Sequence, residues 1–133
     1  MTQENELLLK TAHQVLADEI RSLQNLNTII DPEFERACRM VMNCKGRVIF
    51  TGVGHSGHVG NKSAANMSSL CQPAYFLHAG EAAHGDLGLV MKDDVVILVS
   101  NSGETAEVLT ILPQLEQLGV KTIAIVGNTS SSL

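Results

Sequence analysis

Four short, nearly unbroken apolar runs alternate with helix-like stretches through most of this chain. That alternation constrains its fold more than any other feature. The runs are residues 47–51 (Arg-Val-Ile-Phe-Thr), 74–77 (Ala-Tyr-Phe-Leu), 95–100 (Val-Val-Ile-Leu-Val-Ser) and 122–126 (Thr-Ile-Ala-Ile-Val). A strand with one wet face alternates apolar and polar residues, whereas a run that stays apolar is covered on both faces, as in a parallel sheet between layers of helices. Helix-like segments near 57–70, 81–89 and 105–118 separate the runs, and Gly119 is placed to end the last. The pattern predicts right-handed βαβ units in an α/β fold. The expected architecture is a three-layer sandwich with a parallel sheet of the flavodoxin or Rossmann kind.

Upstream, Leu8, Ala12, Val15, Leu16, Ile20, Leu23, Leu26 and Ile30 recur at helical spacing. They predict a long amphipathic helix, with a break near Asn25-Leu26-Asn27. Asp31-Pro32-Glu33 places an N-cap before a proline at the first helical position, opening a second helix that should run to about Cys44 and stop near Gly46. The expected division is a helical segment, 1–45, packing on the domain or on a partner subunit, and an α/β domain, 46–133. Only Gly127-Asn128-Thr129-Ser130-Ser131-Ser132-Leu133 follows the fourth run, so the domain is expected to be truncated there.

Composition narrows the function. With 44% hydrophobic but only 3% aromatic residues, the core must be aliphatic, and base stacking has almost nothing to use. The formal net charge of −5, without a basic cluster, argues against nucleic acid and anionic membranes as partners. The polar, acidic start is unlike a signal peptide, and no apolar run approaches the ~20 residues of a membrane span. Cys38, Cys44 and Cys71 form no Cys-x-x-Cys pair and read as reduced thiols of a cytoplasmic protein.

Two loops carry the chemistry. Gly52-Val53-Gly54-His55-Ser56-Gly57 follows the first run, and Ser100-Asn101-Ser102-Gly103-Glu104-Thr105 follows the third. A turn rich in glycine and serine at a strand–helix junction aims backbone N–H groups and hydroxyls at one spot, a phosphate cradle that needs no lysine or arginine. Ser56 is placed to cap the following helix. Glu104 stands among phosphate-seeking groups, either as a general base or as an acid favoured at a helix N-terminus. His84, beside Gly85 and near Glu81 and Asp86, is a candidate for proton transfer, and His55 for ligand contact. The spacing of His55, His58, His78 and His84 matches no metal motif, so no metal is expected. The first loop also fits Gly-x-Gly-x-x-Gly. The second run, however, ends in Leu77-His78 without the acid that a dinucleotide's ribose requires, which makes a nicotinamide-dependent oxidoreductase the weakest reading.

Ser-Asn-Ser-Gly-Glu-Thr behind a buried strand resembles the signature of the sugar isomerase (SIS) domain family. Gly-Val-Gly-His-Ser-Gly-His-Val-Gly-Asn-Lys and Gly-Glu-Ala-Ala-His-Gly-Asp-Leu-Gly resemble, within it, the bacterial D-arabinose 5-phosphate isomerases, over about Ala37 to Leu133. The resemblance implies interconversion of D-ribulose 5-phosphate and D-arabinose 5-phosphate through a cis-enediol(ate), in lipopolysaccharide biosynthesis, with no cofactor. It also implies a homo-oligomer, dimer or tetramer, with sites completed across subunits. On this basis Ser56, Ser100, Ser102 and Thr105 bind substrate, and Glu104 and His84 are catalytic; from their places in the two loops, Gly54, Gly57 and Asn101 are expected to join the binding residues and His55 the catalytic ones. The family usually carries lysine where this chain has His55. The alternative is a phosphosugar sensor with the same cradle and no reaction.

Overall fold

The computed structural model describes residues 3–133. Two compact units divide within the second helix, one ending at Arg36 and the other spanning Ala37–Leu133.

In the first unit, α1 runs unbroken over Gln3–Ile29. The expected break near Asn25 does not occur; the helix continues through it to Ile29, and Thr28 Oγ1 donates to the Asn25 carbonyl at 2.7 Å. Val15, Leu16, Ile20 and Leu23 are exposed along it. The Asp31 carboxylate accepts the Glu33 and Phe34 N–H groups at 2.9 and 3.2 Å, capping α2, Pro32–Met42.

The second unit is a parallel four-stranded sheet: β1 Val48–Gly52, β2 Ala74–His78, β3 Val95–Ser100 and β4 Lys121–Val126. Their order across the sheet is β2-β1-β3-β4. Helix α3 (Gly54–Ser69) follows β1, α4 (Ala79–Ala83) follows β2, and α5 (Ala106–Leu118) follows β3. The helix expected near 81–89 is two pieces. It is interrupted at Gly85 (φ 130°), and Asp86–Leu89 forms a separate 3-10 turn.

Period-two alternation sorts the strands' side chains into two cores. Ile49, Val96 and Leu98 pack with Ala82, Val108, Ile111 and Leu115 on the α4–α5 face. Val48, Phe50, Val95 and Ile97 pack with Ala64 of α3 and with Val41 of α2 on the other. Each fully buried valine, leucine, isoleucine or phenylalanine among them stabilises the fold by about 1.5–3 kcal/mol. The expectation of two covered faces holds for β1 and β3 but not for β4, whose side chains are half-buried or exposed, Ile125 among them.

Ahead of the strands, one ion pair ties β1 to β3. Arg47 Nη2 lies 2.9 Å from Asp94 Oδ2, while Asp94 also accepts the Arg47 and Met91 N–H groups at 2.7 and 2.9 Å. Burial pushes the Asp94 carboxyl up, but these hydrogen bonds outweigh it and hold the group below the usual carboxylate range. The pair lies at the end of the sheet opposite both glycine- and serine-rich loops.

Candidate functional site

β1 and β3 are neighbours in register, Thr51 beside Leu98. From them the chain departs in opposite directions, through α3 to β2 and through α5 to β4. The strand order therefore reverses between β1 and β3, and the crevice beyond their carboxyl ends is where open α/β sheets take their ligands. Both loops open here. A Cβ on Gly52 would come within 2.8 Å of the Val99 carbonyl oxygen, so the two strand ends meet backbone to backbone. α3 and α5 leave the crevice on opposite faces of the sheet and direct their N-terminal N–H groups toward it, an arrangement suited to an anion.

The first loop is shorter than its sequence suggests. α3 begins at Gly54, so His55, Ser56 and Gly57 lie in its first turn rather than on a loop. Ser56 is not the cap. Val53 holds that position in an extended conformation with no side-chain bond. Gly57 is buried against β1 and Phe76, and Ser56 is half-buried. His55 is exposed, its ring edge-on to His58 one turn further along, with centroids 6.4 Å apart.

The second loop uses its hydroxyls in two ways. Ser100 is buried, and its Oγ pairs with Thr105 Oγ1 at 2.7 Å while accepting the Gly103 N–H at 3.0 Å. These two hydroxyls brace the loop. Ser102 and Asn101 are exposed. Ser102 Oγ accepts the Glu104 N–H at 3.1 Å, and the Asn101 carbonyl accepts the Gly127 N–H at 2.9 Å. Thr105 is the N-cap of α5 by position, yet its side chain makes no capping bond. Glu104 is exposed, and its Oε1 accepts the Ser132 N–H at 2.7 Å.

His84 stands apart. It is the exposed C-cap of α4 and lines an open groove of about 830 Å³ with Ala82, Leu87, Gln114, Gln117 and Leu118. Gln114 to Leu118 is the far end of α5. At 1.5 Å per residue, Gln114 is already about 12 Å along that helix from its start beside Glu104. The single chain thus brings Ser102, Glu104 and the two helix N-termini to one place and His84 to another. His78, the last residue of β2, accepts the Gly80 N–H on Nδ1 at 3.1 Å and caps α4.

Sequence reasoning overlooked Asn128, Ser131 and Ser132, which fold against the second loop. The signal was present: asparagine followed by serines favours side-chain-to-backbone turns. Thr51 was overlooked too. Its hydroxyl is buried one residue before Gly52 with no hydrogen-bond partner among the described residues. Among those residues no cluster of three or more histidine, cysteine, aspartate or glutamate is placed to hold a metal ion, and no helix is long and apolar enough to cross a membrane.

A doubly wound domain with two helices opening at the crevice of its switch point is the class defined by this fold and site. The SIS domain family matches residues 41–133, and the chain belongs to it. The chain is 44% identical over 127 residues to arabinose 5-phosphate isomerase KpsF of Escherichia coli, covering 95% of this chain and 39% of that protein. It is 47% identical over 120 residues to arabinose 5-phosphate isomerase KdsD of Escherichia coli K12, covering 90% of this chain and 37% of that protein. The chain therefore spans about two fifths of the length of the curated relatives it matches. A solved structure from E. coli CFT073, in complex with arabinose 5-phosphate, superposes with a TM-score of 0.92 at 40% identity, covering 100% of this chain and 70% of that one.

Proposed function

We propose that the crevice between β1 and β3 binds a pentose phosphate, and that the protein interconverts D-arabinose 5-phosphate and D-ribulose 5-phosphate. The observation that carries this reading is the meeting of two glycine- and serine-rich loops, each opening a helix, at adjacent strand ends. The identity to enzymes named arabinose 5-phosphate isomerases supports the choice of substrate.

The phosphate sits against the N-terminal N–H groups of α3 and α5, joined by the Ser102 hydroxyl and, on the α3 side, by Ser56 and His55. Ser100 and Thr105 keep the second loop in shape around it. Holding the phosphate orients the reacting carbons, so that proton transfer becomes intramolecular. Glu104 removes the proton from C2 of the aldose, the C1 carbonyl becomes the second hydroxyl of a cis-enediol, and the same proton returns to C1 as O2 becomes the ketone. No electrons leave the sugar and no redox partner is needed. His84, remote from Glu104 in one chain, serves as the acid from a second copy in a homo-oligomer, moving protons between the sugar oxygens.

The test is direct. The chain is incubated with arabinose 5-phosphate and ribulose 5-phosphate formation is followed, alongside calorimetric binding of the same sugar and of a nicotinamide nucleotide. Binding without conversion would make the domain a sensor. Nucleotide binding without sugar binding would overturn the reading.

A further inference from the structure

The Glu104 side chain does not swing freely over the crevice. One of its oxygens is taken by the Ser132 N–H at 2.7 Å, and that donor belongs to a tight turn following β4. Within the turn, the Ser130 N–H donates to Asn128 Oδ1 at 3.0 Å and Ser131 Oγ donates to the Asn128 carbonyl at 2.7 Å. Leu133 N–H donates to the Gly103 carbonyl at 3.2 Å, joining the turn to the loop that carries Glu104. From the other side, Ser102 Oγ accepts the Glu104 N–H. Glu104 is thus gripped at both its backbone and its carboxylate.

We propose that Asn128 is a positioning residue for Glu104. It shapes the turn that aims the Ser132 N–H at Oε1, and this leaves Oε2 as the oxygen that meets the substrate's acidic carbon–hydrogen bond. The inference rests on the isomerase reading above. A free glutamate samples many rotamers, and ordering it costs conformational entropy. A backbone donor that fixes one oxygen orders the group before substrate arrives, so the second oxygen is already placed for proton transfer.

The experiment uses the full chain labelled with ¹⁵N. Initial rates on arabinose 5-phosphate are measured for the unsubstituted chain and for Asn128→Ala, Asn128→Asp and Ser132→Pro, and hydrogen exchange of the Ser132 amide for all but the proline variant, which has no amide hydrogen there. Aspartate retains the Oδ acceptor that the turn requires. Proline deletes the donor itself and leaves Asn128 in place, so it decides the matter if the alanine variant does not fold. Asn128→Ala is expected to lose Ser132 protection and to lower kcat about tenfold with KM within about twofold, because misorientation acts on the reacting atoms and not on phosphate binding. Ser132→Pro should show the same split, and Asn128→Asp should keep both protection and kcat. An unprotected amide with unchanged kcat would overturn the proposal, as would an aspartate variant no better than alanine. If the unsubstituted chain turns over no sugar while its Ser132 amide still responds to Asn128→Ala, the isomerase reading fails, and the positioning role fails with it.

Discussion

The hydroxyls of Ser100 and Thr105 lie 2.7 Å apart, closing the second loop from its first residue to its last. Because Ser100 is buried and also accepts the Gly103 N–H, the pair acts on loop shape before it acts on any ligand. Ser100→Ala leaves a buried donor unmatched and should cost about 1–2 kcal/mol in urea unfolding. A double-mutant cycle with Thr105→Val should give a coupling of about 1 kcal/mol, and additive losses would show that the two hydroxyls act independently.

Ser102 is the contrasting case. It is exposed, and its one bond, to the Glu104 N–H, is local. Ser102→Ala should weaken arabinose 5-phosphate binding about tenfold, by the loss of one hydrogen bond to a charged group, with little change in stability. Titration calorimetry reads the first quantity and thermal melting the second. An unchanged dissociation constant would take Ser102 out of the site.

Glu104→Gln separates chemistry from binding. The amide Oε1 still accepts the Ser132 N–H, so the geometry survives, but the group is no longer a base. Turnover of arabinose 5-phosphate should fall by about 100-fold or more while its binding changes by less than about twofold. Full activity in this variant would move the base elsewhere.

Gly103→Ala is predicted to be damaging for two reasons. The residue has φ of 69°, and a Cβ there would run into the Ser131 side chain. The backbone strain alone amounts to about 1–3 kcal/mol. Urea unfolding should show at least that loss, and a neutral substitution would mean that the turn after β4 does not rest on the loop.

Asp94 is expected to contribute to the acid limb of stability. Its carboxyl is held below the usual range, so its contribution is complete above the unfolded value of about 3.9 and is lost as pH falls through the lower folded value. Asp94→Asn should cost about 2 kcal/mol at pH 7, less than for a fully buried pair because the Arg47 side chain is 38% exposed. The variant should also show a flatter dependence on pH below about 4. Unfolding titrations from pH 7 to 2 test both.

The alternation of strands and helices was legible because continuously apolar runs have few other places to go than a covered parallel sheet. β3 matches its run residue for residue. Boundaries near the site were less legible. Nothing local showed that α3 would begin at Gly54 with Val53 as its cap, since a helix start depends on where the N–H groups find partners. The break at Gly85 was hidden for a similar reason: glycine permits a turn without requiring one.

Local chemistry thus determined the class of this protein: an aliphatic α/β domain with one glycine-rich and one hydroxyl-rich turn behind its first and third strands. Only the tertiary structure decided which hydroxyls face inward. Ser100 and Thr105 spend theirs on each other, a pairing set by the depth at which β3 ends. Tertiary structure also separated His84 from Glu104 and brought the Ser132 amide to the Glu104 carboxylate. Distances across a sheet arise from strand order and from the direction in which each helix leaves, and neither is written in the spacing of residues along one chain.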